Sequence, residues 1–277
     1  MGIGSGRAHR LYHDLALVAV GIFVATPLLV TFLGGFKDQG ELRANPFGLP
    51  STLNLSNFAQ ILSQPDIWVY VGNSLVVAGM TVALTLIIGA MAAFAFAQIR
   101  FFGSRMLLNY VLLGMMFPFA TAILPLFVRL RDFGLLNSYA GLVLPQVAFG
   151  LGFSILLMRS FFKQLPSELW EAAQIDGCSY AGFFWKVTLP LSTPILATVG
   201  VFVLVQSWNN FLLPLVVLND ESLYTWPIGI MQFQGEYNTE WSLILAFVTL
   251  TLIPAVIFFA FAQKYIVEGL TGGAVKG

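Results

Sequence analysis

Six long stretches of this chain carry no charged side chain: Leu15–Phe36, Ile67–Ile99, Met106–Val128, Phe133–Met158, Val187–Asn219 and Trp241–Gln263. Each holds at least 22 residues. An α-helix rises about 1.5 Å per residue, so roughly 20 apolar residues cross the hydrocarbon core of a bilayer. The pattern predicts six transmembrane helices. The runs Ile67–Ile99 and Val187–Asn219 exceed one crossing, and their ends are expected in the interface or in flanking structure. Barrel strands would show short alternating segments instead of continuous apolar runs. The first run is longer than a signal-peptide core of roughly 7–15 residues and no A-x-A site follows it, so it reads as a retained helix.

Composition sharpens this reading and removes other classes. Of 277 residues 58% are hydrophobic and 9% charged, against about 25% charged in an average soluble chain, and mean hydropathy is +0.84. The same numbers exclude disorder, which needs low hydrophobicity and high net charge. Thirteen Lys+Arg balance thirteen Asp+Glu, so no net positive field attracts nucleic acid. One cysteine, Cys178, and two histidines, His9 and His13, provide neither an intrachain disulfide nor a metal cluster. The expected fold class is therefore an all-α polytopic membrane protein, a single transmembrane domain over residues 1–277.

Basic residues set the expected orientation. With the N-terminus inside, the inner segments hold nine Lys and Arg: Arg7, Arg10, Arg100, Arg105, Arg159, Lys163, Lys186, Lys264 and Lys276. The outer segments hold four: Lys37, Arg43, Arg129 and Arg131. This distribution places both termini in the cytoplasm. Arg129 and Arg131 run against it, softened by the adjacent Asp132.

Within the runs, Gly89, Ala93 and Ala97 form a small-residue stripe that allows close helix approach. Prolines at 27, 118, 125, 145, 214 and 254 are expected to kink or interrupt their helices. No Asp, Glu, Lys or Arg lies in the middle of a run, so no intramembrane proton relay is evident. Uncharged polar groups do occur at Asn73, Asn109, Gln146, Gln206, Trp208, Asn209 and Asn210. Most such groups serve as interhelical glue. The cluster Gln206, Trp208, Asn209 and Asn210 is a candidate substrate path, because amides and an aromatic face match the hydroxyl edge and C–H face of a sugar.

The inner connection from about 160 to 193 reads as structured. Ser167 suits an N-cap with Glu168 in the first turn. Gly177 suits a left-handed corner, and Ser179 suits the cap of a second short helix. An amphipathic hairpin lying on the membrane surface fits the composition equally well.

The spacing Glu171-Ala172-Ala173, three residues, Gly177, nine residues, Val187-Thr188-Leu189-Pro190 resembles the EAA loop of ABC importer permeases. That family usually has isoleucine where Val187 stands. Trp208-Asn209-Asn210-Phe211-Leu212-Leu213-Pro214-Leu215 is similar to the fifth span of carbohydrate permeases. The segment 263–277 is similar to the tail of MalG-type permeases of the binding-protein-dependent transport system inner-membrane component family. The resemblance implies a coupling loop with Glu168, Glu171, Ala172, Ala173, Asp176, Gly177, Leu189 and Pro190 at a cytoplasmic ATPase. It implies that the tail residues Gly272, Gly273, Val275 and Lys276 reach that ATPase too. It further implies a second, MalF-like permease, a dimeric ATPase that uses ATP and Mg2+, an extracytoplasmic solute-binding protein and a carbohydrate substrate in a bacterial or archaeal cytoplasmic membrane. The chain itself has no G-x-x-x-x-G-K-[ST] phosphate loop and no catalytic constellation, so it is read as a non-catalytic subunit without its own cofactor. A self-contained secondary transporter or channel, and a permease for a sugar phosphate or other small solute, stand as alternatives.

Overall fold

The computed structural model describes residues 4–235 and 239–271. Along the chain, helix α1 (Gly4–Gly34) is followed by α2 (Gln39–Ala44), whose first turn is capped by Asp38 accepting from Glu41 N at 2.7 Å. Helices α3 (Ser56–Leu62) and α4 (Pro65–Gln98) come next, the latter opening on Pro65 and Asp66, which suit a helix start. Gly103, at φ +78°, turns the chain into α5 (Ser104–Leu113). After a 3-10 turn at Gly114–Met116, α6 (Phe119–Asp132) leaves at 100°. Ser138 caps α7 (Tyr139–Phe162), accepting from Gly141 N at 3.1 Å. Then follow α8 (Ser167–Ile175), α9 (Tyr180–Phe183), a π-helical stretch at Phe184–Thr188 and α10 (Leu189–Leu191). Helices α11 (Thr193–Trp208) and α12 (Leu212–Val217), 3-10 turns at Glu221–Leu223 and Trp226–Phe233, and α13 (Trp241–Thr271) complete the order.

Among the described residues four segments are long and apolar enough to cross a bilayer: His13–Gly34, Pro65–Gln98, Tyr139–Phe162 and Trp241–Ala260. Two bent pairs, Ser104–Met116 with Phe119–Asp132 and Tyr180–Leu191 with Thr193–Trp208, raise the number to six. Six apolar runs thus become four long helices and two broken ones. Pro118 explains the first break. The residue before a proline is disfavoured in helical backbone, and Phe117 is extended at ψ 116°. The second bend, 77°, lies at Ser192, two residues before Pro194. Pro194 has no N–H for the Pro190 carbonyl, and the Thr193 hydroxyl donates to that oxygen at 2.8 Å. By contrast Pro27, Pro125, Pro145 and Pro254 lie inside uninterrupted helices. Of the two expected effects, a kink or an interruption, interruption does not occur at those four.

Contacts sort the chain into two units, Met1–Ile67 with Ile230–Ile253 and Trp68–Gly229 with Pro254–Gly277. In the first, Lys37 is fully buried, and its ammonium donates to the carbonyls of Asn45 (2.7 Å), Pro46 (3.4 Å) and Gly48 (2.6 Å). Three carbonyls satisfy its three donors, so a buried cation is tolerated without a carboxylate. Asn57 secures the same turn by donating to Gly35 O and Lys37 O. Gly35 is required there, because a Cβ would lie 2.9 Å from Ala246 Cα.

Among the described residues of the second unit, two apolar cores form. One gathers Ala93, Phe94, Ile155, Met158, Phe162, Phe183, Phe184 and Ile195, and the other Val77, Leu142, Val147, Leu213 and Val217. The small-residue stripe serves this packing, since Gly89 faces Met158, Leu151 and Ser154. Asn73 acts as glue: its NH2 donates to Ser222 O and Tyr224 O, both at 2.8 Å, and its oxygen accepts from Tyr139 OH at 2.7 Å. Asn137, left-handed at φ +56°, accepts from the backbone N–H of Asn219 and Asp220. The hydroxyl and N–H of Ser222 both donate to Asp220 and hold its carboxyl below the usual range. Arg131 pairs with Asp132 at 3.1 Å.

Candidate functional site

Two places in the second unit concentrate the residues singled out by sequence. The first is the corner from α8 to α10. Helix α8 ends in a Schellman motif: Gly177 N donates to Gln174 O at 3.0 Å and Cys178 N to Ala173 O at 2.8 Å. Gly177 takes φ +73°, the conformation this motif needs. Ser179 then accepts from Gly182 N at 3.2 Å and starts α9. Ser167 is the first residue of α8, not its cap; Pro166 holds the cap position without a side-chain bond.

The inner side of this corner is aromatic. Trp170 stacks on Tyr180 (4.3 Å, 16°) and meets Phe183 edge-on at 5.0 Å. Phe183 and Phe184 pack on Phe94 of α4 at 6.3 and 5.2 Å. Ala173, Cys178, Val187 and Leu189 join the same core. Two polar ties brace the base: Arg159 Nε donates to Phe96 O at 3.1 Å, and Gln98 Nε2 to Phe162 O at 2.9 Å. The π-helical stretch at Phe184–Thr188 lies just before Pro190, whose ring would crowd the Lys186 carbonyl in a regular helix.

The outer side is exposed among the described residues. Glu168, Glu171, Ala172, Asp176, Gly177 and Pro190 are exposed. The residues expected in the coupling loop thus divide into a half-buried support, Ala173 and Leu189, and a displayed face. Ile175 shares that face at 87% exposure. Sequence reading passed over Ile175, although an aliphatic residue one position before Asp176-Gly177 ends the helix on its outer side.

The second place is a cavity of about 350 Å3 lined by the 3-10 turn after α5, the break at Phe117, the first residue of α6, and residues of α7 and α11. Helix α7 supplies Gln146, Phe149, Gly150 and Phe153, spaced i, i+3, i+4 and i+7 and so on one face. Helix α11 supplies Phe202, Val203 and Gln206, and Asn210 follows just past its end. Phe119–Phe149 (4.9 Å, edge-on) and Phe153–Phe202 (4.4 Å) join neighbouring helices around it.

The cavity separates the four path candidates. Gln206 and Asn210 line it. Trp208 is buried elsewhere, stacked with Trp226 at 6.5 Å and edge-on to Phe258 at 6.3 Å. Asn209 is exposed, and its NH2 donates back to Val205 O at 2.9 Å. Gln206 in the last turn of α11 and Asn210 just past its end reach the cavity, whereas Trp208 and Asn209 between them point elsewhere. Gln146 joins Gln206 and Asn210, which only the tertiary arrangement reveals. The tail candidates Gly272, Gly273, Val275 and Lys276 lie outside the described residues.

Comparison with known proteins places this geometry. The family model "Binding-protein-dependent transport system inner membrane component" matches residues 85–272. The chain is 38% identical to the arabinooligosaccharides transport system permease protein AraQ of Halalkalibacterium halodurans, covering 92% of each chain. It is 37% identical to the trehalose/maltose transport system permease protein MalG of Thermococcus litoralis, covering 97% of each. A chain from the crystal structure of a bacterial ABC transporter that imports the acidic polysaccharide alginate shares the fold, with TM-score 0.81, 23% identity, and coverage of 96% of this chain and 99% of that one. With α4 to α13 spanned by the family match and relatives aligned over nearly their whole length, the chain belongs to the binding-protein-dependent transport system inner membrane components.

Proposed function

We propose that this chain is one of two permease subunits of an ATP-driven importer for a neutral or lightly modified carbohydrate, in a bacterial or archaeal cytoplasmic membrane with both termini inside. The observation that carries this reading is the α8–α9 corner. It is braced internally by Trp170, Tyr180, Phe183 and Phe94, yet Glu168, Glu171, Ala172, Ile175 and Asp176 on its outer face are exposed among the described residues. A rigid projection with acidic residues and a bare isoleucine suits docking onto another protein. Glu168, Glu171, Ala172, Asp176 and Ile175 form that contact with a dimeric ATPase, which binds ATP and Mg2+. Ala173, Gly177, Leu189 and Pro190 keep the corner in shape. In the same assembly the tail residues Gly272, Gly273, Val275 and Lys276 meet the ATPase, and a second permease and a solute-binding protein complete the importer.

The carbohydrate assignment is supported by the sugars in the names of relatives at 37–38% identity. Amide and aromatic side chains on α7 and α11 provide the matching chemistry.

Motion then follows from mechanics. Closure of the ATPase on ATP displaces the corner, and the Phe94, Phe183 and Phe184 contacts pass the displacement to α4. Isolation of this chain in mild detergent from its native host tests the assembly. An ATPase and a second permease are expected to copurify. Recovery of the chain alone, as a stable monomer or homodimer, would overturn the reading.

A further inference from the structure

The cavity between the α5–α6 turn, α7 and α11 contains a donor with nothing to bond. Gln146 Nε2 is buried and has no hydrogen-bond partner among the described residues. A buried N–H that has left water without gaining an acceptor is disfavoured. Its place in a cavity wall means that an acceptor entering the cavity would satisfy it.

The rest of the wall indicates what that acceptor belongs to. Asn210 Oδ1 is occupied by Leu213 N at 3.3 Å, which leaves its NH2 as the end that meets a ligand. Gln206 adds a third carboxamide from the same face of α11. The same wall carries the rings of Phe149, Phe153 and Phe202. Amides that exchange hydrogen bonds with hydroxyls, set beside aromatic faces that take C–H groups, suit a sugar ring. No charged side chain is among the twelve lining residues. A carboxylated or sulfonated ring would therefore bury its charge without a cation to meet it. At about 350 Å3 the cavity lies at the small end of the roughly 300–1,000 Å3 typical of ligand sites, and it holds one ring better than a chain.

We propose that this cavity is a transport subsite for a single uncharged sugar ring, with Gln146 Nε2 donating to a ring oxygen or hydroxyl and Gln206 and Asn210 completing the polar wall. The proposal rests on the carbohydrate reading above and adds a site and a selectivity to it.

The importer purified from its host, with its binding protein and ATP in proteoliposomes, tests this. The probes are maltose, trehalose, arabinobiose and diacetylchitobiose as neutral sugars and digalacturonate as an acidic one. Wild type is expected to carry at least one neutral probe and to carry digalacturonate at least tenfold more slowly. Gln146→Leu should lower uptake of the carried sugar at least tenfold without lowering the thermal midpoint of the complex, since it removes an unpaired buried donor. In a Cys178→Ser background, the same sugar should slow alkylation of Gln146→Cys at least threefold. Uptake by Gln146→Leu within twofold of wild type overturns the subsite, as does a fall in uptake accompanied by a fall in midpoint, absence of protection, or equal transport of digalacturonate. If the wild-type complex hydrolyses ATP but carries none of the neutral probes, the carbohydrate reading itself fails, before any variant is tested.

Discussion

Gly177 illustrates how one residue determines the direction of a whole segment. Its φ of +73° lets the chain reverse between α8 and α9, and the two bonds of the Schellman motif depend on that reversal. A Cβ at this position would meet no atom within 4 Å, so the obstacle to substitution is backbone strain alone. An L-residue held left-handed costs roughly 1–2 kcal/mol, more for a β-branched one, whereas asparagine is tolerated. Gly177→Val is therefore expected to reduce sugar-stimulated ATP hydrolysis by the assembled importer at least about fivefold, and Gly177→Asn to stay within about twofold of wild type. Stimulated hydrolysis at the wild-type level in the valine variant would show that the corner's shape is not needed for coupling. Lys37 makes a related point in the other unit. From sequence it is one of four outer cations, yet folding buries it completely against three carbonyls, where it acts as a clasp for the turn and not as a surface charge.

The broken helices decide more than the intact ones do. Helix α11 has 16 residues and rises about 24 Å, short of the roughly 30 Å hydrocarbon core. Its crossing needs flanking segments beyond Ser192 or beyond Asn209. Asn210 helps to end it, because its side chain caps the first turn of α12 and draws the backbone away from continuing. At the α5–α6 break the proline effect is local and testable. Pro118→Ala restores helical freedom to Phe117 and an N–H at position 118. We expect α5 and α6 to approach a common axis, which would lengthen the distance between spin labels at positions 106 and 128 and move Met115, Phe117 and Phe119 away from the cavity. A distance distribution identical to wild type would mean that packing, and not the proline, holds the 100° bend.

For the molecule as a whole, the proposed orientation in the membrane rests on the nine-to-four division of basic residues between the segments expected inside and those expected outside. Two of those outer residues weaken as counterexamples on inspection, since Lys37 is buried and Arg131 is paired with Asp132. With its single cysteine replaced, the chain suits side-specific labelling. In a Cys178→Ala background, Leu53→Cys should react with a membrane-impermeant maleimide in intact spheroplasts, and Gln164→Cys only after permeabilisation. Both positions are exposed, so reaction reports the side of the membrane. The opposite result would invert the topology and place the α8–α9 corner where no ATPase can reach it.

What the sequence determined by itself was whatever depends on neighbours close along the chain. The apolar runs specify membrane helices because each backbone hydrogen bond in a helix is local and each crossing needs only length and hydropathy. The corner at Gly177 is legible for the same reason: its bonds join residues within five positions of one another. Tertiary structure decided everything that requires two distant segments to meet. Gln146 looked like any polar residue in a span until α7 and α11 set it beside Gln206 and Asn210 around one cavity. Trp208 adjoins the two asparagines in the chain yet packs against Trp226 and Phe258, because neighbours on a helix point about 100° apart. Which side chains share a wall depends on how helices pack, and packing is a property of pairs of faces that no single run of residues contains.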